Sequence, residues 1–154
     1  FGDQNEWEIA SGVPHIPFEA LDADYEIAKE AYLEYFRKMH QLFPKCKKML
    51  MAVRNQIASS HHTLSGLLYD AVEDQLYTTR IYDIEPIVDP MGVGDAFIAA
   101  YIHAHQKWGD KNQYCLDFSL SASAIKNTVP GDQNLVTEEE IINNMTSSGG
   151  RIQR

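Results

Sequence analysis

Cysteine is scarce in this chain of 154 residues: Cys46 and Cys115 are its two, far apart and without CxxC spacing. That excludes a disulfide framework and a zinc knuckle and leaves two buried thiols as the expectation. A surplus of positive charge is also missing. With 13 Lys and Arg against 22 Asp and Glu, the formal charge is −9, which argues against nucleic acid or an anionic membrane as the main partner. Any phosphate must therefore be held by local donors. No apolar run approaches the roughly 20 residues of a membrane helix, and no charged-then-apolar leader opens the chain, so a cytoplasmic location is expected. Histidine pairs with metal-ligand spacing are lacking too. His61 and His62 would face opposite sides of a strand, and His103 and His105 stand two apart on a helix. No internal repeat or Gly/Ser linker divides the chain.

What is present is enough apolar content, 44%, for one ordinary core. Tyr25, Ala28, Tyr32, Tyr35 or Phe36, Met39 and Leu42 recur at helical spacing. Asp22, Asp24 and Glu26 open this helix and Arg37, Lys38 and His40 close it, an order that suits the helix dipole, before Pro44 ends it. MLMAV (49–53) reads as a strand buried on both faces, with Arg54 and Asn55 at its C-terminal end. Residues 56–69 and 76–84 read as a hairpin around the acidic turn DAVEDQ, which Pro86 terminates. Behind IVD (87–89) and a glycine loop, Phe97, Tyr101, Ala104 and Trp108 stripe a helix that Gly109 stops. A further helix is predicted over 111–127, with Tyr114, Phe118, Ala122 and Ile125 on its apolar face. Pro130-Gly131 makes a turn, and Thr137-Glu138-Glu139-Glu140 fits a capping box before a last short helix. Residues 146–154 are expected to fray.

Four amphipathic helices need more sheet than these strands supply. The chain, which starts at Phe1 rather than at a methionine, therefore reads as the C-terminal part of a larger α/β domain over residues 1–145, followed by a flexible tail. Its further strands are expected N-terminal to Phe1.

The stretch DPMGVGDAF (89–97) carries the chemistry. Glycines between a strand and a helix permit otherwise costly backbone conformations and close approach of a ligand to the main chain. N–H groups at the helix start then form an anion site. Asp95 would repel a resting phosphate there, so it needs a second task. Taking the proton from a hydroxyl that attacks a phosphoryl group is such a task. The plainer alternative is that Asp95 caps the helix and the glycines only make the turn.

The same stretch resembles the C-terminal signature of the PfkB, or ribokinase-like, family of carbohydrate kinases, D-[ST]-x-G-A-G-D-x-F. DQNEWEIASG (3–12) is similar to the family's N-x-x-E segment, and SLSASAIKNTVPGDQNLVT (119–137) to its closing nucleotide-site helix and loop. The resemblance implies the C-terminal half of a three-layer α/β/α ribokinase-like fold. It makes Asp95 the catalytic base and Gly92, Val93 and Gly94 the anion hole. Asp3 and Glu6 would organise magnesium through water, which suits an ion that dehydrates reluctantly. Asp89 takes the position that in many members helps bind a monovalent cation such as K+. Ser119, Ala122 and Ile125 would line the ATP site. Pro90, Val93 and Asp3 depart from the usual Ser or Thr, Ala and Asn. After MLMAV the family's glycine turn is replaced by RNQIASS, where Arg54 either compensates by contacting phosphate or forms a surface salt bridge. The resemblance further implies ATP and a small sugar or sugar acid as substrates, completion by an N-terminal half or complementary chain, and a homo-oligomer. Within the family, IYDIEPIVDPMGVGDAFIAAYIHAH is similar to bacterial kinases of 2-keto-3-deoxygluconate. Two other readings stay open: a non-catalytic nucleotide-binding or regulatory module, and a fragment inactive without its N-terminal half.

Overall fold

The structure, a computed structural model, describes residues 1–17 and 25–147 and the backbone of 151–152. The first helix, α1 (Gln4–Ser11), starts where Asp3 and Glu6 form a reciprocal capping box and stops at Gly12, whose φ of 72° is left-handed. The chain is thus helical from Gln4. The reason is that Asp3 and Glu6 satisfy the orphan N–H groups of the first turn. Helix α2 (Lys29–Leu42) buries Tyr32, Tyr35, Phe36 and Met39, the stripe its spacing predicted. Glu26 lies before the helix, and Asp22 and Asp24 fall outside the described residues.

Strands β1 (Lys48–Ala58) and β2 (His61–Asp70) form a long antiparallel hairpin through Ser59-Ser60, with an irregularity between Gln56 and Ala58. The strand foreseen at 49–53 is therefore longer, and Arg54 and Asn55 lie inside it rather than at its end. Pairing along β2 extends β1 past its apolar run. Strand β3 (Gln75–Thr78) pairs with the last part of β2, Leu67 to Asp70, and β4 (Tyr82–Ile84) with the first part, His62 to Leu64. The foreseen hairpin around residues 70–75 is thus β2 with β3, and β4 returns along the same edge of β2 further on. The two-residue β5 (Arg151–Ile152), in the segment expected to fray, runs parallel to β4. On the other side of β1, Gly2 makes a parallel bridge to Met51. The sheet is larger than the apolar runs alone suggested.

Alternation along β1 and β2 splits the core into two layers. Met49, Met51, Val53, Leu67 and Tyr69 face α2. Leu50, Leu64 and Leu68 face the opposite layer, formed by α3 (Val93–Trp108), α4 (Asn112–Lys126) and α5 (Glu138–Thr146). The architecture is three-layer α/β/α. Helix α5 begins at the Thr137–Glu140 capping box that the sequence announced. Helix α4 is the centre of its layer: twelve of its fifteen residues are buried, so sheet and helices cover it on nearly every side. No helix among the described residues is long and apolar enough to cross a membrane.

Phe97 ties the first turns of α3 into this layer with no exposed surface. Phe97→Ala should therefore lower the unfolding free energy by about 3–5 kcal/mol. Urea titration of the full-length protein checks it, and a loss well under half that size would mean that the site closes over the cavity.

Candidate active site

The glycine loop and the end of α4 meet at the Ser59-Ser60 end of the long hairpin. The N–H of Ile87 bonds the Ser60 carbonyl at 2.8 Å, and the N–H of Val88 bonds the Asn127 carbonyl at 2.8 Å. Asp89 extends the tie with both oxygens: one accepts from the Met91 N–H at 3.0 Å, the other from the Gly131 N–H at 2.8 Å. These donors, Met91 first and Gly131 second, hold the Asp89 carboxyl below its ordinary range, with the Lys126 charge helping through space. Gly92 then caps α3 with φ 74°, and a Cβ built on it would meet the Asp132 carbonyl oxygen at 2.3 Å. Glycine is needed there twice over, for the left-handed backbone and for the space. Gly94 differs. It has no positive φ, and a Cβ there would meet only the Phe1 ring, 4.0 Å away.

Helix α3 has no side-chain cap. Its first intrahelical bond runs from the Ala96 N–H to the Gly92 carbonyl at 2.9 Å, so the preceding N–H groups of Val93, Gly94 and Asp95, which meet no partner among the described residues, can meet a ligand. The first turn is rigidly held from behind, where the Ser123 hydroxyl of α4 donates to the Val93 carbonyl at 3.0 Å. Gly94 and Asp95 are exposed at its front. A carboxylate and a row of unpaired backbone donors thus share one accessible helix turn, and Asp95 does not cap its own helix. That geometry can hold a developing anion while accepting a proton beside it.

The segment that leads into Asp3 and Glu6 passes beside the start of α3: Phe1 packs against Phe97 with ring centroids 5.4 Å apart, and Gly2 bridges to Met51 of β1. Each carboxylate accepts one hydrogen bond in the α1 capping box, and both residues are exposed. Two half-used, exposed carboxylates fit an ion held through its water shell. Among the described residues, no three His, Cys, Asp or Glu side chains converge as a direct metal centre.

Arg54 is exposed and lies on the same face of β1 as Leu50 and Ala52, the face that α3 and α4 cover. His62, opposite Gln56, is buried, and its pKa is held below the ordinary imidazole range first by that burial and then by the Arg54 charge. His61 instead hydrogen-bonds the Asp83 carboxylate at 2.5 Å.

Ser119, Ala122 and Ile125 do not line an open cavity. All three are buried, the Ser119 hydroxyl donates to the Cys115 carbonyl, and Ala122 and Ile125 belong to the core. The α4 stripe foreseen as nucleotide-facing is packing surface, because α4 is enclosed on almost all sides. Sequence reasoning also passed over Lys126 and Asp132, which shape the back of the glycine loop. A lone lysine among small residues at the end of a buried helix was the available signal.

These features define a ribokinase-like α/β fold with a glycine-capped helix facing an open carboxylate. Neighbours of known structure are PfkB-family carbohydrate kinases, to which the chain is similar over 79% to 95% of its length. A 2-dehydro-3-deoxygluconokinase of Thermotoga maritima superposes with a TM-score of 0.77 at 26% identity, covering 94% of this chain and 40% of the neighbour. A PfkB family carbohydrate kinase of Listeria grayi gives 0.70 at 27% identity, covering 80% of this chain and 36% of the neighbour. Ribokinase of Arabidopsis thaliana, whose structure holds ribose and ATP, shares the fold at a TM-score of 0.67 and 20% identity, with 95% and 40% covered. The chain therefore spans less than half the length of these proteins. No protein-family model and no curated protein matches the sequence.

The two glycines should separate in a test. Gly92→Ala places a methyl against the Asp132 carbonyl at a positive φ and should cost at least about 1–3 kcal/mol. Gly94→Ala adds a methyl in open space on a helical backbone and should leave stability the same or slightly higher, as alanine favours helices. Thermal unfolding of both variants decides it: equal losses would contradict the assignment of the close approach to Gly92 alone.

Proposed function

We propose that this chain is the phosphoryl-transfer part of a carbohydrate kinase that moves the γ-phosphoryl group of ATP to a hydroxyl of a sugar or sugar acid. The observation that carries the reading is the first turn of α3, where exposed Asp95 stands beside uncapped N–H groups. Asp95 takes the proton of the acceptor hydroxyl as its oxygen bonds to the γ-phosphorus and the bond to the ADP oxygen breaks. The N–H groups of Val93, Gly94 and Asp95 receive the charge that develops on the transferring group, aided by the positive end of the α3 dipole. Gly92 fixes the angle at which that turn is presented.

Magnesium, when bound, neutralises phosphate charge. Asp3 and Glu6 would hold its water shell through their spare oxygens. Arg54, exposed on the α3-facing side of the sheet, is assigned to nucleotide phosphate by charge-assisted hydrogen bonds. The adenine must rest on surface outside the buried α4 stripe. The likeness to the Thermotoga maritima enzyme supports a 2-keto-3-deoxy sugar acid as acceptor, over ribose, fructose or a nucleoside. Residues that read the acceptor belong to the part of the domain that completes the sheet beyond β1, contributed by an N-terminal half or by a complementary chain.

The test is Asp95→Asn in the full-length protein, which removes the base and keeps the shape. Sugar-dependent ADP release should fall by at least ~100-fold, with ATP affinity by calorimetry little changed. Turnover within a few-fold of the parent would remove Asp95 from the chemistry. A parent that binds ATP yet phosphorylates no sugar or sugar acid would instead favour a nucleotide-binding module.

A further inference from the structure

Lys126 is a charged residue for which the reaction above has no use. It ends α4 with 0% exposure and ranks among the largest fully buried side chains. Burying an ammonium is costly unless its charge and its three N–H donors are answered. Among the described residues it makes one hydrogen bond, to the Val129 carbonyl at 3.1 Å. The rest of the compensation is electrostatic. The C-terminal carbonyls of α4 present the negative end of its dipole, and the Asp89 carboxylate, not in direct contact with Lys126, is tied to the same loop through the Gly131 N–H at 2.8 Å, its carboxyl held below the ordinary range in part by the Lys126 charge through space.

A helix-end dipole, a loop carbonyl and a nearby carboxylate are the surroundings that hold a hard cation. Here an ammonium on a tether already sits among them. The chain folds back over it: the Thr128 N–H bonds the Ile125 carbonyl at 2.9 Å and the Val129 N–H bonds the Lys126 carbonyl at 3.0 Å. Immediately beyond, Gly131 holds Asp89 and the Asp132 carbonyl presses on Gly92. Asp89, the one residue that resemblance assigned to a monovalent cation, has both oxygens engaged by backbone N–H groups. A free ion would have to displace the Lys126 ammonium or sit beside a like charge. The residues present do not fit one.

We infer that the Lys126 ammonium is a built-in substitute for a monovalent cation: it braces the 127–132 loop against Gly92 and puts fixed positive charge behind the α3 anion site, so the protein works without K+. Lys126 is a positioning residue, acting through the loop. The inference rests on the kinase reading only for its effect on catalysis, since the binding of K+ can be measured without turnover.

The experiment uses the full-length protein prepared in choline chloride, with KCl as the probe. Calorimetric titration of the parent should show no saturable K+ binding, and its melting temperature and ATP affinity should be the same in KCl as in choline chloride at equal ionic strength. Lys126→Ala removes the charge and opens its space. It should lower ATP affinity or turnover by about 10- to 100-fold, the usual size of supporting-shell losses, acquire saturable K+ binding and regain stability and activity in KCl. Lys126→Met fills the space without charge and should show the same loss with no recovery. A purely structural lysine would produce no rescue by K+. Saturable K+ binding to the parent overturns the inference, as does a folded Lys126→Ala that neither binds K+ nor loses ATP affinity. If the variants do not fold, the parent titration decides alone. A parent without sugar kinase activity refutes the kinase reading and leaves the K+ titrations to judge Lys126.

Discussion

The rest of the site depends on the coupling of two loops, one before α3 and one after α4. They are joined by the bonds of the Val88 and Asp89 N–H groups to the Asn127 carbonyl, by the Asp89 carboxylate on the Gly131 N–H, and by the close approach of Gly92 to the Asp132 carbonyl. Each is short-ranged and directional, so together they leave the start of α3 little freedom. A helix terminus whose N–H groups must meet a developing charge benefits from that restriction, because no reorganisation is then needed at the moment of reaction.

Behind the loops, α4 acts as the common wall. Its Ser123 hydroxyl holds the first turn of α3, and its Ser121 hydroxyl donates to the Ile141 carbonyl of α5 at 2.9 Å. Small side chains, Ser119, Ser121, Ala122, Ser123 and Ala124, let the neighbouring helices and the sheet come close on every side. Serine suits such a helix because its hydroxyl can be satisfied by a nearby carbonyl even when fully buried. The same enclosure gives the buried charge of Lys126 its insulated setting.

Much of this was legible along the chain. The spacing of Tyr32, Tyr35, Phe36 and Met39 identified the buried face of α2, because period-3.6 burial is a local property. The capping box at Thr137 worked for the same reason: its partners stand three residues apart. Gly92 and Asp95 could be singled out because a glycine-rich turn opening a helix has a restricted set of uses. The true length of β1 was not legible, since residues 54–58 are strand only by virtue of their pairing with β2. Nor was the inaccessibility of Ser119, Ala122 and Ile125, which follows from three elements packing around one helix. The contrast between Gly92 and Gly94 is similar: both look permissive in sequence, and only the Asp132 carbonyl tells them apart.

By itself, then, the sequence determined the α/β class, the helix stripes, the caps and the carboxylate beside a glycine loop, because these depend on residues within a turn or two of one another. The tertiary structure decided which glycine is indispensable, which parts of α4 are closed to ligands, and that both oxygens of Asp89 are engaged while Lys126 lies buried behind them. Those outcomes rest on contacts between segments some 40 residues apart, Asp89 with Gly131 and Gly92 with Asp132. Local propensity carries no information about such a distance, whereas close packing and the need to satisfy buried polar groups settle it.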